Sequence, residues 1–133
     1  MSESPNAAHA RRYLQALEDG VTTAALCEFF TPDIVQREHP NRFTPQGATR
    51  DLAALVAASE RGRHAVADQR YAVRALVETG DTVAIEAAWS AVLKVPVGTL
   101  AAGDTMRAAL AMFLTYRDGR ICELRNYDCF APF

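Results

Sequence analysis

The hydrophobic and polar positions of this chain follow one period in its first half and another in its second. Over residues 7–19, apolar side chains recur at the i, i+3, i+4, i+7 spacing that places them on one face of a helix. After Gly62 the period becomes two, and residues 71–77 and Thr82–Leu93 alternate as half-buried strands do. The pattern therefore predicts helices first and long strands afterwards, the order of an α+β domain.

Three helices are predicted in the first half. The first ends at Gly20, a residue suited to the left-handed position that follows a helix. The second is short, is capped by Thr22 or Thr23, and ends at Pro32. The third runs from about residue 49 to residue 60, with its apolar positions on one face.

Five strands accompany these helices. Residues 34–38 form a short strand before the third helix, and residues 105–116 and 120–129 follow the two long alternating segments. Asp118 and Gly119 predict a tight hairpin between the last two strands, because both central residues of a type I′ turn need positive φ. The predicted element order is αα-β-α-ββββ.

This order predicts one α+β domain over residues 1–133, in which a curved antiparallel sheet wraps around the three N-terminal helices as a cone. The sheet has to bury one face, and the only helices available are those that precede it. A cone of this kind has an interior, and the mouths of barrel-like folds are where ligand pockets occur. We therefore expect an interior pocket.

Composition excludes several classes of function. Half of the residues are apolar and the net charge is −2, so no excess of basic residues indicates a nucleic-acid partner. No apolar run approaches the roughly 20 residues of a membrane span, and the N-terminus lacks the pattern of a signal peptide. Cys27, Cys122 and Cys129 show no C-x-x-C spacing, which predicts buried, reduced thiols in a cytoplasmic protein and no metal site.

Four short strings carry a family resemblance. They read RYLQALEDG at residues 12–20, FFTPD at 29–33, GDTVA at 80–84 and RDGRI at 117–121. In this element order they resemble the nuclear-transport-factor-2-like superfamily, and within it the SnoaL-like polyketide cyclase and ketosteroid isomerase branch. The resemblance covers essentially the whole chain and implies the cone fold. Its members include isomerases, cyclases, hydrolases, dehydratases and non-catalytic binders, so the fold leaves the function open.

The resemblance also implies positions for site residues. The isomerases of this branch use a tyrosine on the first helix, a general-base aspartate after the first strand and a protonated aspartate on a later strand. Tyr13 matches the first position, His39 or Glu38 the second, and Ala111 the third. Because alanine donates no hydrogen bond, ketosteroid isomerisation is disfavoured. Asp128 matches the acid/base aspartate that the polyketide cyclases carry on the last strand.

Strand alternation, combined with the resemblance, assigns the two sheet faces. The inward face is predicted to carry the ligand-binding residues Glu86, Arg107, Phe113, Leu124 and Asn126, together with Asp128. The opposite face, with Trp89, Arg125 and Tyr127, is a candidate subunit interface, and Trp89 is also a candidate ligand contact. A one-residue bulge would reverse this assignment.

Each candidate also has a structural interpretation. Tyr13 can be a core aromatic residue, and His39 a solvated residue in a proline-containing loop. Glu86 and Arg107 can form an ion pair between neighbouring strands, which would still shape the pocket.

The sequence thus predicts a cytoplasmic SnoaL-like protein, dimeric through its sheet face, that binds a small and largely apolar organic molecule. Acting without a cofactor, it would be an isomerase, cyclase or hydrolase that uses Asp128 with His39 or Tyr13 in general acid–base catalysis. The alternatives are a non-catalytic ligand-binding or protein-interaction module, and a pseudo-enzyme whose interior is filled by side chains. Neither nucleic acid nor a membrane is an expected partner.

Overall fold

The computed structural model describes residues 3–21 and 23–133. These residues form three helices and six strands in the order α1 (Pro5–Asp19), α2 (Thr23–Cys27), β1 (Phe30–Glu38), β2 (Ala48–Arg50), α3 (Leu52–Ala65), β3 (Val66–Thr79), β4 (Thr82–Leu93), β5 (Thr105–Arg117) and β6 (Arg120–Phe130). Within them, no helix has both the length and the apolar character needed to cross a membrane.

Helix α1 begins two residues before its predicted start at residue 7 and ends where the sequence predicts. The Ser4 side chain accepts a hydrogen bond from the Ala7 N–H at 3.0 Å, and Pro5 occupies the first turn, where it sacrifices no helical hydrogen bond. Gly20 has φ of 64° and donates its N–H to the carbonyls of the last turn, which confirms the predicted end of the helix. Of the two caps predicted for α2, Thr22 lies outside the described residues, and Thr23 is the first residue of the helix.

Strand β1 begins earlier than the sequence predicts. Helix α2 ends at Cys27 and the strand starts at Phe30, so Pro32 lies inside the strand instead of closing the helix. The pairing of β1 with β6 is interrupted between Phe30 and Val35. This interruption accommodates Pro32, because a proline has no N–H to donate to a neighbouring strand.

The helix that follows is shifted towards the C-terminus relative to its prediction. Residues 48–50 form the short strand β2, which pairs antiparallel with the end of β1. Helix α3 then starts after Asp51, whose carboxylate accepts from the Ala54 N–H at 2.9 Å and caps the helix. Strand β2 was not predicted, since a three-residue edge strand carries too few positions to show a period.

The six strands form one curved, unclosed sheet in the order β2-β1-β6-β5-β4-β3. Strands β3 to β6 are a meander of antiparallel neighbours, as predicted, whereas β1 runs parallel to β6. Asp118 and Gly119 have φ of 52° and 79°, which confirms the tight turn between β5 and β6. The α+β cone predicted from the sequence is therefore confirmed.

The core lies between the inner face of this sheet and the helices. Its largest fully buried side chains are Phe30, Leu26, Ile34, Ile85, Met106, Leu114, Ile121, Leu124 and Val83. On β4 and β5 the buried positions alternate with half-buried or exposed ones. Each long strand therefore presents one face to the core and the other to the outside.

Three residues predicted to point into the cone lie instead on its outer face: Glu86, Arg107 and Phe113. Glu86 and Arg107 are exposed, and their neighbours Ile85 and Met106 are buried. The inward orientation predicted for these residues was therefore wrong.

The register between β5 and β6 explains the error. Met112 lies opposite Asn126, and residues directly opposite each other share a face of the sheet. The even-numbered residues of β5 consequently share the inner face with Asn126. A β-bulge at Cys122 also breaks the alternation of β6, so that Ile121 is buried in place of Cys122.

Leu114 provides a test of this core assignment. It is 0% exposed on β5, so Leu114→Ala should lower the free energy of unfolding by about 2–5 kcal/mol through lost burial and a cavity. Val77→Ala, at a position 62% exposed, should cost less than about 1 kcal/mol. Urea denaturation measures both, and equal losses would contradict the assigned faces.

Candidate functional site

A cavity of about 560 Å³ lies between the inner face of the sheet and the three helices. Its wall includes apolar side chains such as Leu17, Leu55 and Met112, and a smaller set of polar groups from β1, β3 and β6. A volume of this size accommodates a small organic molecule, and an apolar wall with a few convergent polar groups is typical of ligand sites.

Asp128, on β6, lines this cavity. Burial and, secondarily, the negative charge of Glu38 raise the pKa of the Asp128 carboxyl to about 6. Near neutral pH the protonated and ionised forms are then close in free energy. A carboxyl in this state is suited to accept a proton and to return it.

Glu38, at the end of β1, is the second carboxylate of the cavity, and its pKa moves in the opposite direction. Burial by itself would raise this pKa, but hydrogen bonds from Asn41, Arg50 and Thr44, together with the Arg50 charge, hold it below its usual value. The ion pair with Arg50 spans 2.8 Å, and Asn41 and Thr44 each donate to the carboxylate at 2.8 Å. Glu38 therefore stays ionised.

Two side-chain amides connect this ion pair to β6. Gln36 donates from Nε2 to Oδ1 of Asn126 at 2.9 Å, and its own Oε1 accepts from Arg50 at 3.2 Å. The parallel pairing of β1 with β6 sets Glu38 opposite Asn126, so the network follows directly from the register. Its members line one wall of the cavity and fix the Arg50 guanidinium there.

Two tyrosines lie on the cavity wall with Asp128. Burial raises the pKa of Tyr13, on α1, well above its usual value. Burial also raises the pKa of Tyr71, on β3, and the negative charges of Tyr13, Asp128 and Glu18 when ionised add to this effect. Both phenols therefore stay neutral and can donate hydrogen bonds to an oxygen of a bound molecule.

Trp89, on β4, also lines the cavity. Its register partner on β5 is Ala108, an inner-face residue, and its indole Nε1 donates to Oε1 of Gln69 at 3.0 Å. The placement of Trp89 on the outer face, as part of a subunit interface, was wrong for the same reason of register. A ligand contact at Trp89 stays a prediction.

The other residues predicted for the site divide into two groups. Tyr13, Asn126 and Asp128 line the cavity, and their chemical roles stay predictions. Leu124 points inward but is 1% exposed and packs within the core, away from the cavity wall.

His39 lies on the opposite side of the sheet. Its ring stacks on Tyr127 with centroids 4.1 Å apart, and its Nε2 atom is buried without a hydrogen-bond partner. His39 is absent from the cavity wall as described for residues 3–21 and 23–133. The pairing of His39 with Asp128 as an acid–base couple is therefore contradicted by position.

The predicted ion pair between Glu86 and Arg107 is also wrong. The residue opposite Arg107 on β4 is Ser90, four positions from Glu86. Four residues of strand span roughly 13 Å, which is too far for an ion pair. Phe113, on the same outer face, packs against Tyr127 at 5.8 Å and lies under the Arg125 guanidinium at 5.2 Å.

Tyr71, Gln36 and Arg50 line the site but were not predicted from the sequence. Tyr71 stands in an alternating segment whose inward residues are aromatic or aliphatic, and that alternation could have identified it. The roles of Gln36 and Arg50 depend on β2 and on the parallel pair of β1 and β6, for which the sequence holds no local signal.

A metal centre in the residues that the structure describes would need a group of side chains that could bind a metal ion. Across residues 3–21 and 23–133, no three His, Cys, Asp or Glu side chains come together in a way that could hold a metal ion. Cys27 and Cys122 are free and half-buried, and Cys129 is free and exposed, so the prediction of buried thiols was wrong for Cys129.

Comparison with known proteins gives a family match and structural neighbours. The sequence model of the SnoaL-like domain matches residues 10–124. No curated protein matches the chain.

Solved structures share the fold at low identity. AclR from Streptomyces galilaeus, provisionally assigned as a hydroxylase, is 19% identical with a TM-score of 0.80, over 98% of this chain and 83% of its own. IdmH from Streptomyces antibioticus, provisionally assigned as a polyketide cyclase, is 21% identical with a TM-score of 0.78, over 95% and 92%. A provisionally assigned SnoaL-like polyketide cyclase from Jannaschia sp. CCS1 is 17% identical with a TM-score of 0.76, over 96% and 90%.

The opposed pKa shifts of the two carboxylates predict opposite effects of neutralising them. The pKa of Asp128 is raised in the folded state, so folding favours its protonated form and stability falls as pH rises from about 4 through about 6. Asp128→Asn should therefore raise the free energy of unfolding at pH 7, by about 1–3 kcal/mol. The gain should vanish near pH 4.

Glu38→Gln is the matched variant of opposite sign. The pKa of Glu38 is lowered in the folded state, so its stabilisation is present at neutral pH and is lost as pH falls through that pKa. The substitution should destabilise the protein at pH 7 and much less under acidic conditions. Denaturant titrations from pH 7 down to well below pH 4 measure both, and two shifts of the same sign at pH 7 would contradict the electrostatic assignment.

Proposed function

The chain belongs to the SnoaL-like domain family, and from this premise we propose that it binds a small, largely apolar organic molecule and moves a proton on it through Asp128. The observation that carries the proposal is the Asp128 carboxyl, with a pKa of about 6, in a cavity whose second carboxylate is held ionised. Titratable groups driven apart in this way are typical of acid–base sites.

The chemistry that fits this site is proton transfer beside a carbonyl group. Ionised Asp128 would take a proton from a carbon next to the carbonyl, and the C–H electron pair would form the enolate double bond. Tyr13 and Tyr71, both neutral, would donate hydrogen bonds to the developing enolate oxygen. Protonated Asp128 would then return its proton to the enolate, and the enzyme would emerge unchanged.

Glu38 and Arg50 support this step without taking part in it. Glu38 is already saturated by three donors, so it is a poor proton acceptor. Its retained negative charge is one of the two causes that keep the pKa of Asp128 high. The Arg50 guanidinium on the same wall is held in place by Gln36 and balances the Glu38 charge.

The proposed substrate class is an aromatic or polycyclic ketone with an acidic C–H group. Trp89 and Tyr71 provide aromatic surface on the wall, and the cavity offers about 560 Å³. Two of the three neighbours reported above are provisionally assigned as polyketide cyclases, and polyketides carry hydrogens made acidic by adjacent carbonyls.

The rival proposal is a non-catalytic ligand-binding module. It is favoured by the network of Glu38, Arg50, Gln36 and Asn126, because a fixed ion pair in a cavity wall can orient a polar group without transferring a proton. The two functions differ in whether Asp128 changes protonation state during turnover.

We also propose that the outer sheet face joins two copies of the chain. This face carries Tyr127, 40% exposed, beside Phe113, with Glu86 and Arg107 as separated opposite charges. A two-fold axis in the plane of the contact, passing between Glu86 and Arg107 at right angles to the line that joins them, would set Glu86 of each copy near Arg107 of the other. Trp89 takes no part, because it lines the cavity. A cytoplasmic location stays a prediction.

Proton transfer can be tested with 2-tetralone, an aromatic ketone whose C1–H is acidified by the carbonyl and the ring. Loss of the C1–H signal in D₂O, followed by ¹H NMR, should be accelerated by the protein. The rate should rise with pH through about 6, because the ionised form of Asp128 is the base. Asp128→Asn should reduce the acceleration about a hundredfold or more while binding is retained.

Glu123→Gln is the control, since Glu123 lies on the same strand and pairs with Arg125 away from the cavity wall. It should exchange as the wild type does. If Asp128→Asn exchanges at the wild-type rate, Asp128 is not the base. If the wild type binds the ketone, seen by saturation-transfer NMR, without accelerating exchange, the binding module is the better assignment.

The dimer is tested by sedimentation equilibrium. Wild-type protein should sediment at about twice the chain mass of 14.5 kDa at micromolar concentration. Arg107→Glu places like charges against each other and should shift the population to monomer. A wild-type mass of one chain would contradict the proposal.

A further inference from the structure

Three phenylalanine rings cluster beside the exposed end of the cavity, and we call this cluster the aromatic gate: Phe43, Phe130 and Phe133. The Phe43 ring meets that of Phe130 edge-on at 4.8 Å and stacks on that of Phe133 at 4.9 Å. Phe43 and Phe130 line the cavity. Phe43 is also 46% exposed, so one side of its ring faces the cavity and the other faces solvent.

Phe133 contacts these two rings but does not itself line the cavity, and it lies beyond the end of β6 at Phe130. The last main-chain hydrogen bond to the sheet is donated by Ala131, to the carbonyl of Arg107 at 2.9 Å. Beyond it, Arg42 holds Phe133: its guanidinium lies over the ring at 4.6 Å and donates to the Phe133 main-chain oxygen at 2.8 Å. Arg42 is exposed, so water can replace these contacts when they break, and their loss costs little free energy.

Gly98, in the loop between β4 and β5, forms the seat of Phe133. A Cβ atom at this position would lie 2.7 Å from the Phe133 carbonyl carbon and 2.9 Å from its ring. Carbon atoms in contact are about 3.5–4.0 Å apart, so any side chain at position 98 would displace Phe133. Three segments distant in sequence, residues 39–47, 94–104 and 130–133, therefore meet at one point.

The loop that carries Phe43 is connected to the charged wall of the cavity. The Asn41 side chain accepts from the N–H groups of Phe43 and Thr44 at 2.9 and 3.0 Å, and donates to Glu38 at 2.8 Å. The loop is thus anchored at its base, and the Phe43 ring extends from it towards Phe133. A ring mounted in this way can swing while the charged wall stays fixed.

We propose that the aromatic gate controls access to the cavity and that Phe133, seated on Gly98 and held by Arg42, is its latch. When Phe133 leaves its seat, Phe43 and Phe130 lose the ring that packs against both, and the cavity opens beside them. The gate is held by ring contacts and one exposed arginine, which suits a segment that opens transiently on a folded scaffold.

Trp89 is a natural reporter of opening. It is the only tryptophan in the chain, it lines the cavity, and its ring meets Phe130 edge-on at 6.0 Å. Acrylamide, a small neutral quencher, should reach Trp89 more easily when the gate is open. The measurement needs no substrate, so its outcome is independent of the proposed proton transfer.

The test compares acrylamide quenching of Trp89 fluorescence in three variants with that in the wild type. Phe133→Ala removes the latch, and Gly98→Ala occupies its seat; each should raise the Stern–Volmer constant roughly two- to threefold. Gly103→Ala is the matched control, because Gly103 lies in the same loop with φ of 93°, but a Cβ atom added there would meet no atom within 4 Å. Gly98 and Gly103 both have positive φ, 55° and 93°, so Gly103→Ala also strains the backbone of this loop, and it should quench as the wild type does.

Circular dichroism melting accompanies each variant, so that quenching is compared only between folded proteins. If both Phe133→Ala and Gly98→Ala are folded and quench as the wild type does, Phe133 is not a latch and the proposal is overturned. If Gly103→Ala raises quenching as much as Gly98→Ala, loop strain explains the effect and the proposal is equally overturned. If only one of Phe133→Ala and Gly98→Ala folds, the test compares its Stern–Volmer constant with that of Gly103→Ala. A constant no higher than that of Gly103→Ala overturns the proposal.

Discussion

The parallel pairing of β1 with β6 is the interaction on which the site depends. It sets Glu38, at the end of β1, opposite Asn126 and brings the first strand of the chain beside the last. Without this pair, Gln36 could not reach Asn126, and Arg50, carried on the adjoining β2, would have no fixed position. The same strand pair places the buried Asp128 within range of the Glu38 charge, which contributes to its raised pKa. One backbone register therefore determines the electrostatics of the cavity.

The cavity shifts the pKa values of two carboxylates in opposite directions, although the two groups have similar pKa values in water. Glu38 receives an arginine and two neutral donors, and these outweigh the cost of its burial. Asp128 is buried without such compensation, so its neutral form is favoured. The difference arises from neighbours and not from the residue types, which is why a residue list alone could not assign acid and base. The tyrosines extend this logic, because burial keeps them neutral and available as donors.

The two faces of the sheet differ in what they present. The inner face provides the wall of the cavity and the core, and the outer face carries small residues, isolated charges and the stacked pair of His39 and Tyr127. The sequence predicted Phe113 on the inner face and Trp89 on the outer face, and the structure places each on the other face. The interpretation of both residues changes accordingly. An aromatic residue predicted for a subunit contact becomes part of the cavity wall, and the reverse is true of Phe113.

Local signals in the sequence determined most of the elements. The C-terminal end of α1, the span of β4 and the turn at Asp118 and Gly119 were all predicted, because caps, period-two alternation and positive φ act within a few residues. The inward position of Asn126 and Asp128 was also predicted, although their roles still await measurement.

Only the tertiary structure decided the faces of β4 and β5, the position of His39 and the partners of Glu38. A period-two pattern shows that two faces differ but does not show which strand residues stand opposite each other, and the bulge at Cys122 shifts that correspondence by one. Strand β2 and the parallel pair of β1 and β6 join residues far apart in sequence, so no local pattern encodes them. The sequence alone therefore determined most of the elements and the cone, and long-range strand pairing decided which side chains share the cavity.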